Sequence, residues 1–92
     1  MANNSLSRNV YVIVRDKETI LFEDEARAIT SFNEKGIFDV LPLHENFISI
    51  IKKSVIIHRK TGQKHEIKID NGILKVFENK INIYLGLENK QL

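Results

Sequence analysis

The sequence predicts an all-β chain, a small β-sandwich or flattened barrel of about eight to ten short, mainly antiparallel strands. Three observations carry that prediction. Apolar and polar residues alternate over most of the chain, and helical spacing is hard to find. Short turn-like clusters of Gly, Asn, Asp and Lys punctuate the alternation. Isoleucine, which fits a pleated surface, leads an apolar content of 42% in 92 residues.

The elements follow in order. "NVYVIVRD" is β-branched and aromatic and closes on the turn-like Asp16-Lys17-Glu18. "ETILF" pairs back onto it. "EARAITSF" has residues of good helix propensity, but Ala26, Ala28, Thr30 and Phe32 alternate with Arg27, Ile29 and Ser31, which favours a strand. "NEKG" reads as a turn, with "IFDVL" and "FISII" as two further strands. The second half reads as a meander, "SVIIHRK-TG-QKHEIKID-NG-ILKVFE-NK-INIYLG", with two-residue turns at Thr61-Gly62, Asn71-Gly72 and Asn79-Lys80. Those turns pair Ile56 with Ile67, Ile67 with Val76, Ile69 with Leu74, Val76 with Ile83 and Leu74 with Leu85. One face then holds Ile56, Ile67, Ile69, Leu74, Val76, Ile83 and Leu85, and Lys68 and Lys75 fall on the other. A sheet with one apolar face needs a cover, and the first half offers strands to supply it.

Ninety-two residues make one domain. Its expected bounds are a flexible N-terminal tail over 1–9, the β domain over 10–86 and a C-terminal tail over 87–92. The absence of cysteine excludes disulfides and thiolate metal sites and suits an intracellular protein. The longest apolar run, Val10 to Val14, is too short to span a bilayer, and "MANNSLSRN" lacks the apolar core of a secretory signal. Net charge is +2 but uneven, with −3 over 1–46 and +5 over 47–92.

Enzyme signals are absent. The four glycines, Gly36, Gly62, Gly72 and Gly86, are scattered and form no phosphate loop. Glu23-Asp24-Glu25 reads as a solvated turn between strands. The Thr61-Gly62 turn sets His58 opposite His65, as a surface pair without further metal ligands. No cofactor and no metal site is expected. Lys52, Lys53, Arg59, Lys60, Lys64 and Lys68 cluster in sequence, and Tyr84 is expected beside Lys75 on the outer face. That combination leaves RNA as a partner to test.

"GIFDVLPLHENFISII" holds the only proline of the chain. Pro42 fixes φ and removes a ladder donor at a crossing between strands, while Val40 and Leu41 are expected to anchor the segment in the core. The segment resembles the Gly-x-Phe-Gly-Ile-Leu-Pro-Gly-His-Ala-Pro-Leu stretch of the epsilon subunit of F-type ATP synthases, called delta in mitochondria. Gly36, Val40, Leu41, Pro42 and His44 match in order and spacing. "VYVIVRDKETILFEDEARAI" is similar to that family's first strands, and Gly72, Leu74, Val76, Asn79, Ile81 and Ile83 match its later ones.

The resemblance implies a β-sandwich at the foot of the rotating central stalk, one side on the gamma subunit and the Leu-Pro-x-His loop toward the membrane c-ring. The subunit so implied is non-catalytic, couples proton translocation to ATP synthesis, and is cytoplasmic and peripheral to the plasma membrane. The ring-facing loop by this resemblance comprises Gly36, Ile37, Asp39, Leu41, Pro42 and His44. Asp39 and Leu43 stand where the family commonly has glycine, and Leu43 implies an ordinary backbone angle there. Family members usually continue into two C-terminal helices, whereas this sequence stops at "GLENKQL", so any inhibitory or ATP-sensing role lacks its residues here. The alternative is a free-standing β-sandwich that kept the fold and binds another protein or RNA.

Overall fold

A computed structural model of the chain describes residues 8–86; the two expected tails fall wholly or mostly outside that range. Six strands follow in order: β1 (Val10–Asp16), β2 (Thr19–Asn33), β3 (Gly36–Val40), β4 (Phe47–Arg59), β5 (Lys64–Phe77) and β6 (Lys80–Leu85). The sheet order is β1-β6-β5-β4-β2-β3, and β1 also pairs with β2. Five strands therefore close into a barrel, and β3 extends it from the β2 edge. All pairings are antiparallel except β1 with β6, which run parallel.

The all-β prediction holds, with fewer and longer strands. "ETILF" and "EARAITSF" are one strand, β2, so Glu23-Asp24-Glu25 lies mid-strand and is not a turn. β2, β4 and β5 have 15, 13 and 14 residues, and irregularities in their pairing let each one bend from one half of the barrel into the other.

Asn71-Gly72 is likewise not a turn but part of β5. Lys52 pairs with Asn71 and Lys53 with Ile69, which leaves Asp70 as the extra residue of a bulge. Beyond it the inward positions switch from His65, Ile67 and Ile69 to Gly72, Leu74 and Val76. Gly72 answers to close approach, since a Cβ there would lie 2.7 Å from Leu85 Cδ2 and from the Tyr84 carbonyl oxygen.

Two hairpin registers also differ from those predicted. At β4–β5 the Gly62 amide donates to the Arg59 carbonyl and the Arg59 amide to the Gln63 carbonyl, and Gly62 has φ +95°. That is a three-residue loop with a glycine bulge, which moves the pairing by one residue. Ile56 consequently faces Glu66 on the outer side, and Val55 and Ile57 take the core positions. At β5–β6 the turn residues are Glu78 and Asn79, with φ 48° and 69°, so Val76 pairs with Ile81 and Leu74 with Ile83. A two-residue displacement keeps every side chain on its predicted face.

The core comprises Val10, Val12, Val14, Ala26, Ile29, Val40, Ile51, Val55, Ile57, Leu74, Val76, Ile81, Ile83 and Leu85. Ile67 and Ile69, expected to be buried, are half-buried and pack on its margin with Phe22, Phe38 and Phe47. Lys68 and Lys75 are exposed, as the alternation predicts. Buried Ser31 donates its hydroxyl to the Ser54 carbonyl at 2.8 Å, which satisfies both polar groups inside the barrel.

Candidate functional site

The Gly36–Phe47 segment runs from the outermost strand to the start of β4. β3 pairs only with β2, Ile29 with Val40 and Phe32 with Ile37. Its alternation sends Phe38 and Val40 inward and Ile37 and Asp39 outward; Val40 is fully buried and Ile37 is 67% exposed. Leu41 does not anchor the segment as predicted, being 55% exposed. Val40 alone serves as the deep anchor, because Leu41 lies one residue past the end of β3.

Leu41-Pro42-Leu43-His44 forms a type II turn. The His44 amide donates to the Leu41 carbonyl at 3.1 Å, Pro42 supplies the fixed φ of the first central position, and Leu43 has φ +67° at the second. The expectation of an ordinary angle at Leu43 is therefore overturned. Glycine is preferred at this position, and a leucine in the left-handed region costs about 1–2 kcal/mol. Asn79 holds it there. Its side-chain oxygen accepts the Leu43 amide at 2.8 Å, its side-chain nitrogen donates to the Asn9 carbonyl at 2.8 Å, and its own carbonyl accepts the Tyr11 amide at 3.1 Å. Asn46 similarly accepts the Glu78 amide at 3.0 Å, so the whole loop is tied to the β5–β6 turn. His44 is half-buried, hydrogen-bonded through Nδ1 to the Glu45 carbonyl at 2.7 Å and edge-on to Phe47 at 5.4 Å.

Beside this loop a shallow groove of about 490 Å³ is lined by Ile37, Leu41, Ala28, Ile56, Thr30, Asp39, His58 and Lys64. A hydrogen-bonded chain crosses its floor. The Thr30 hydroxyl donates to Asp39 at 2.5 Å and lies 2.7 Å from His58 Nε2. Having one proton to give, that hydroxyl accepts from His58, which places the imidazole proton on Nε2. The predicted His58–His65 pair is corrected: His58 faces Lys64, and His65 faces Ile57 on the opposite side of the sheet, edge-on to Phe22 at 5.7 Å. The one-residue register change separates them. Among the described residues no group of three or more His, Asp and Glu could hold a metal.

A second exposed apolar region covers the outer face of β4, β5 and β6. Ile50 pairs with Ile73 and Ile73 with Tyr84, and Arg15 lies across the Tyr84 ring at 5.9 Å. Ile48, Ile50 and Phe77 on this face are 65%, 73% and 52% exposed. Tyr84 therefore opposes Ile73 and not Lys75, whose partner is Asn82. Of the six clustered basic residues, Lys60 pairs with Glu25 at 3.5 Å, Arg59 lies over Phe22 at 5.7 Å and Lys53 over Phe32 at 5.5 Å. On β1 and β2, Tyr11 donates to Glu23 at 2.6 Å. That bond, then desolvation and the charges of Glu23, Asp24 and Glu25, raises the phenol above its usual range.

The profile of the "ATP synthase, Delta/Epsilon chain, beta-sandwich domain" family matches residues 9–85. The chain belongs to this family. It is similar to the ATP synthase epsilon chain of a Nitratiruptor species, with 36% identity over 67% of this chain and 49% of that one. The epsilon chain of Campylobacter fetus subsp. fetus is 29% identical over 78% of this chain and 57% of its own length. The chain thus spans about half the length of the curated relatives it matches. In fold it is similar to a chain of the Euglena gracilis mitochondrial ATP synthase OSCP/F1/c-ring structure, with a TM-score of 0.80, 17% identity and coverage of 86% of this chain and 51% of that one. A chain of the Tetrahymena thermophila mitochondrial ATP synthase central stalk/c-ring structure gives 0.68, 13% identity and coverage of 82% and 61%. The expectation of missing C-terminal helices concerns residues outside the described range.

Proposed function

We propose that this β domain is a non-catalytic, epsilon-like subunit of the central stalk of a rotary ATP synthase. It grips a gamma-like subunit with one side and presents the Leu41–His44 end to the c-ring, so that ring rotation is passed to the stalk. The placement is peripheral to the membrane; no helix among the described residues is long and apolar enough to cross one. The observation that carries the gamma contact is the outer face of β4, β5 and β6, where Ile48, Ile50 and Phe77 are exposed and Ile73 and Tyr84 half-buried, with Lys75 among them. A lone domain leaves Ile48, Ile50 and Phe77 to water at a cost, and a partner removes it. Gly36, Ile37, Asp39, Leu41, Pro42 and His44 are assigned to the ring-facing end by family resemblance, supported by the exposure of Ile37 and Leu41.

A lasting grip needs an interface of about 1,200–2,000 Å² or more. Its test is co-purification of the tagged chain with a gamma-like subunit in moderate salt, and loss of that association on replacing Ile48 and Ile50 by Lys. An RNA-binding module behaves differently, because phosphate contacts lose about a thousandfold in affinity between about 50 and 200 mM salt. RNA retention is expected to be weak and salt-sensitive. RNA binding that survives about 200 mM salt, without gamma association, reverses the assignment.

A further inference from the structure

We infer that Asn71-Gly72 is a self-modifying site: the fold holds it unreactive, opening of β5 lets it convert to isoaspartate, and the barrel then does not close again. The inference is independent of the stalk reading above. Asn-Gly occurs once in the sequence, and the hairpin turn it ordinarily makes is not formed here, since both residues lie inside β5. The pair keeps the chemistry of a turn motif in the middle of a sheet. That chemistry needs only water. Base removes the Gly72 amide proton, the nitrogen attacks the carbonyl carbon of the Asn71 side chain, and that carbon's bond to the side-chain nitrogen breaks. The leaving nitrogen takes up a proton and departs as ammonia, and a five-membered succinimide remains. Water then opens the ring at one of its two carbonyls. One opening gives aspartate, and the other gives isoaspartate, with the main chain routed through the former side chain. Glycine favours ring closure because no Cβ crowds its nitrogen and its backbone turns freely. Lys80 after Asn79 and Ile83 after Asn82 lack that freedom.

In the folded chain Asn71 is exposed but Gly72 is buried. Gly72 pairs with Ile51 on β4 and with Leu85 on β6, so strands on both sides fix its amide in the plane of the sheet. Leu85 and the Tyr84 carbonyl pack where even a Cβ would not fit, which leaves Gly72 no room to swing toward the Asn71 side chain. Ring closure therefore waits until the ladder separates. Isoaspartate adds one main-chain atom directly after the Asp70 bulge, where β5 already carries an extra residue. Beyond it, Leu74 and Val76 are pushed off their places opposite Ile83 and Ile81, and the inner rows of β5 and β6 no longer match.

The test incubates the full chain in mildly alkaline buffer, with and without urea, and reads position 71 by peptide mapping and by enzymatic methylation of isoaspartate. Wild type in urea should convert, and folded wild type should convert at least about tenfold more slowly. Ile83→Ala loosens the barrel without touching the pair and should speed conversion in buffer by about tenfold or more. Asn71→Gln, whose longer side chain does not close a five-membered ring, should stay unmodified in urea and keep the wild-type Tm. After urea is removed, chains with isoaspartate at position 71 should fail to refold or should melt about 5 °C or more below wild type. Asn71→Asp, which brings the charge without the extra main-chain atom, should melt within about 2 °C of it. Equal rates in buffer and urea, no acceleration by Ile83→Ala, or an unchanged Tm in the isoaspartate chains refutes the proposal. So does the lack of isoaspartate at position 71 in urea.

Discussion

The interior of the barrel and the Ile37–Asn46 end obey opposite rules. Inside, the fully buried Ile29, Ile51, Ile57, Leu74, Ile81 and Ile83 sit on regular strands, and every apolar group is hidden. At the end, Ile37, Leu41 and Leu43 are displayed, one of them on a strained backbone that two asparagine clamps keep in place. The interior is optimised for the fold alone. The end displays apolar side chains that no element of the described chain covers.

Substitutions can break this contrast or sharpen it. Ile83→Ala, at the centre of the buried rows, is expected to lower stability by about 2–5 kcal/mol in denaturant unfolding, leaving partner binding per folded molecule unchanged. Gly72→Ala should cost about 1–3 kcal/mol, because the added Cβ meets the Tyr84 carbonyl, which belongs to the backbone and cannot swing aside. Asn79→Ala removes the Leu43 clamp and the Asn9 contact; a loss of about 1–3 kcal/mol with faster amide exchange at Leu43 would show that the loop is actively held. At the end itself, Ile37→Ser and Leu41→Ser should change stability by no more than about 0.5 kcal/mol, and a larger loss would make them part of the core after all.

The smallest expected effect is electrostatic. Tyr11 has a raised pKa, so the folded state holds the phenolic proton more firmly than the unfolded state does. Stability from this group is therefore present below the ordinary tyrosine value near 10 and is lost as pH rises from there through the folded pKa. Phenolate absorbance should show late ionisation of Tyr11, and Glu23→Gln should bring it earlier.

The interior was largely legible in the sequence, and the reason is geometric. Alternation assigns faces, and faces survive a two-residue error such as the one at Glu78-Asn79. Turn positions do not follow from alternation. A switch of inward parity between Ile69 and Leu74 is produced equally by a hairpin at Asn71-Gly72 and by a bulge at Asp70, and only the packing of β6 against Gly72 separates them. At Thr61-Gly62 the glycine bulge adds one loop residue, which moved Ile56 outward and parted His58 from His65. Sequence reasoning therefore missed the Asp39–Thr30–His58 chain, since it depends on the register of three strands at once. Leu43 was misread for a similar reason. Its conformation is imposed by Asn79, thirty-six positions further along the chain, and nothing local announces that clamp. The Leu-Pro-x-His pattern located the loop but not its strain.

The parallel pairing of β1 with β6 has a consequence for the birth of the molecule. Tyr11 lies beside Lys80 and Asp16 beside Leu85, so the first strand meets the last across most of the described chain. A ribosome delivers residues in order, and the barrel cannot shut until Leu85 has left the exit tunnel. Until then the nascent chain can fold β1 against β2, but Val12 and Val14 on β1 lack Ile81 and Ile83 as neighbours, and one side of that strand is open to any other chain nearby. Contacts of such long sequence separation also slow closure. The exposed interval is set by translation speed over the last strand, so slow codons between Lys80 and Leu85 should raise aggregation of this chain more than the same codons placed in β2.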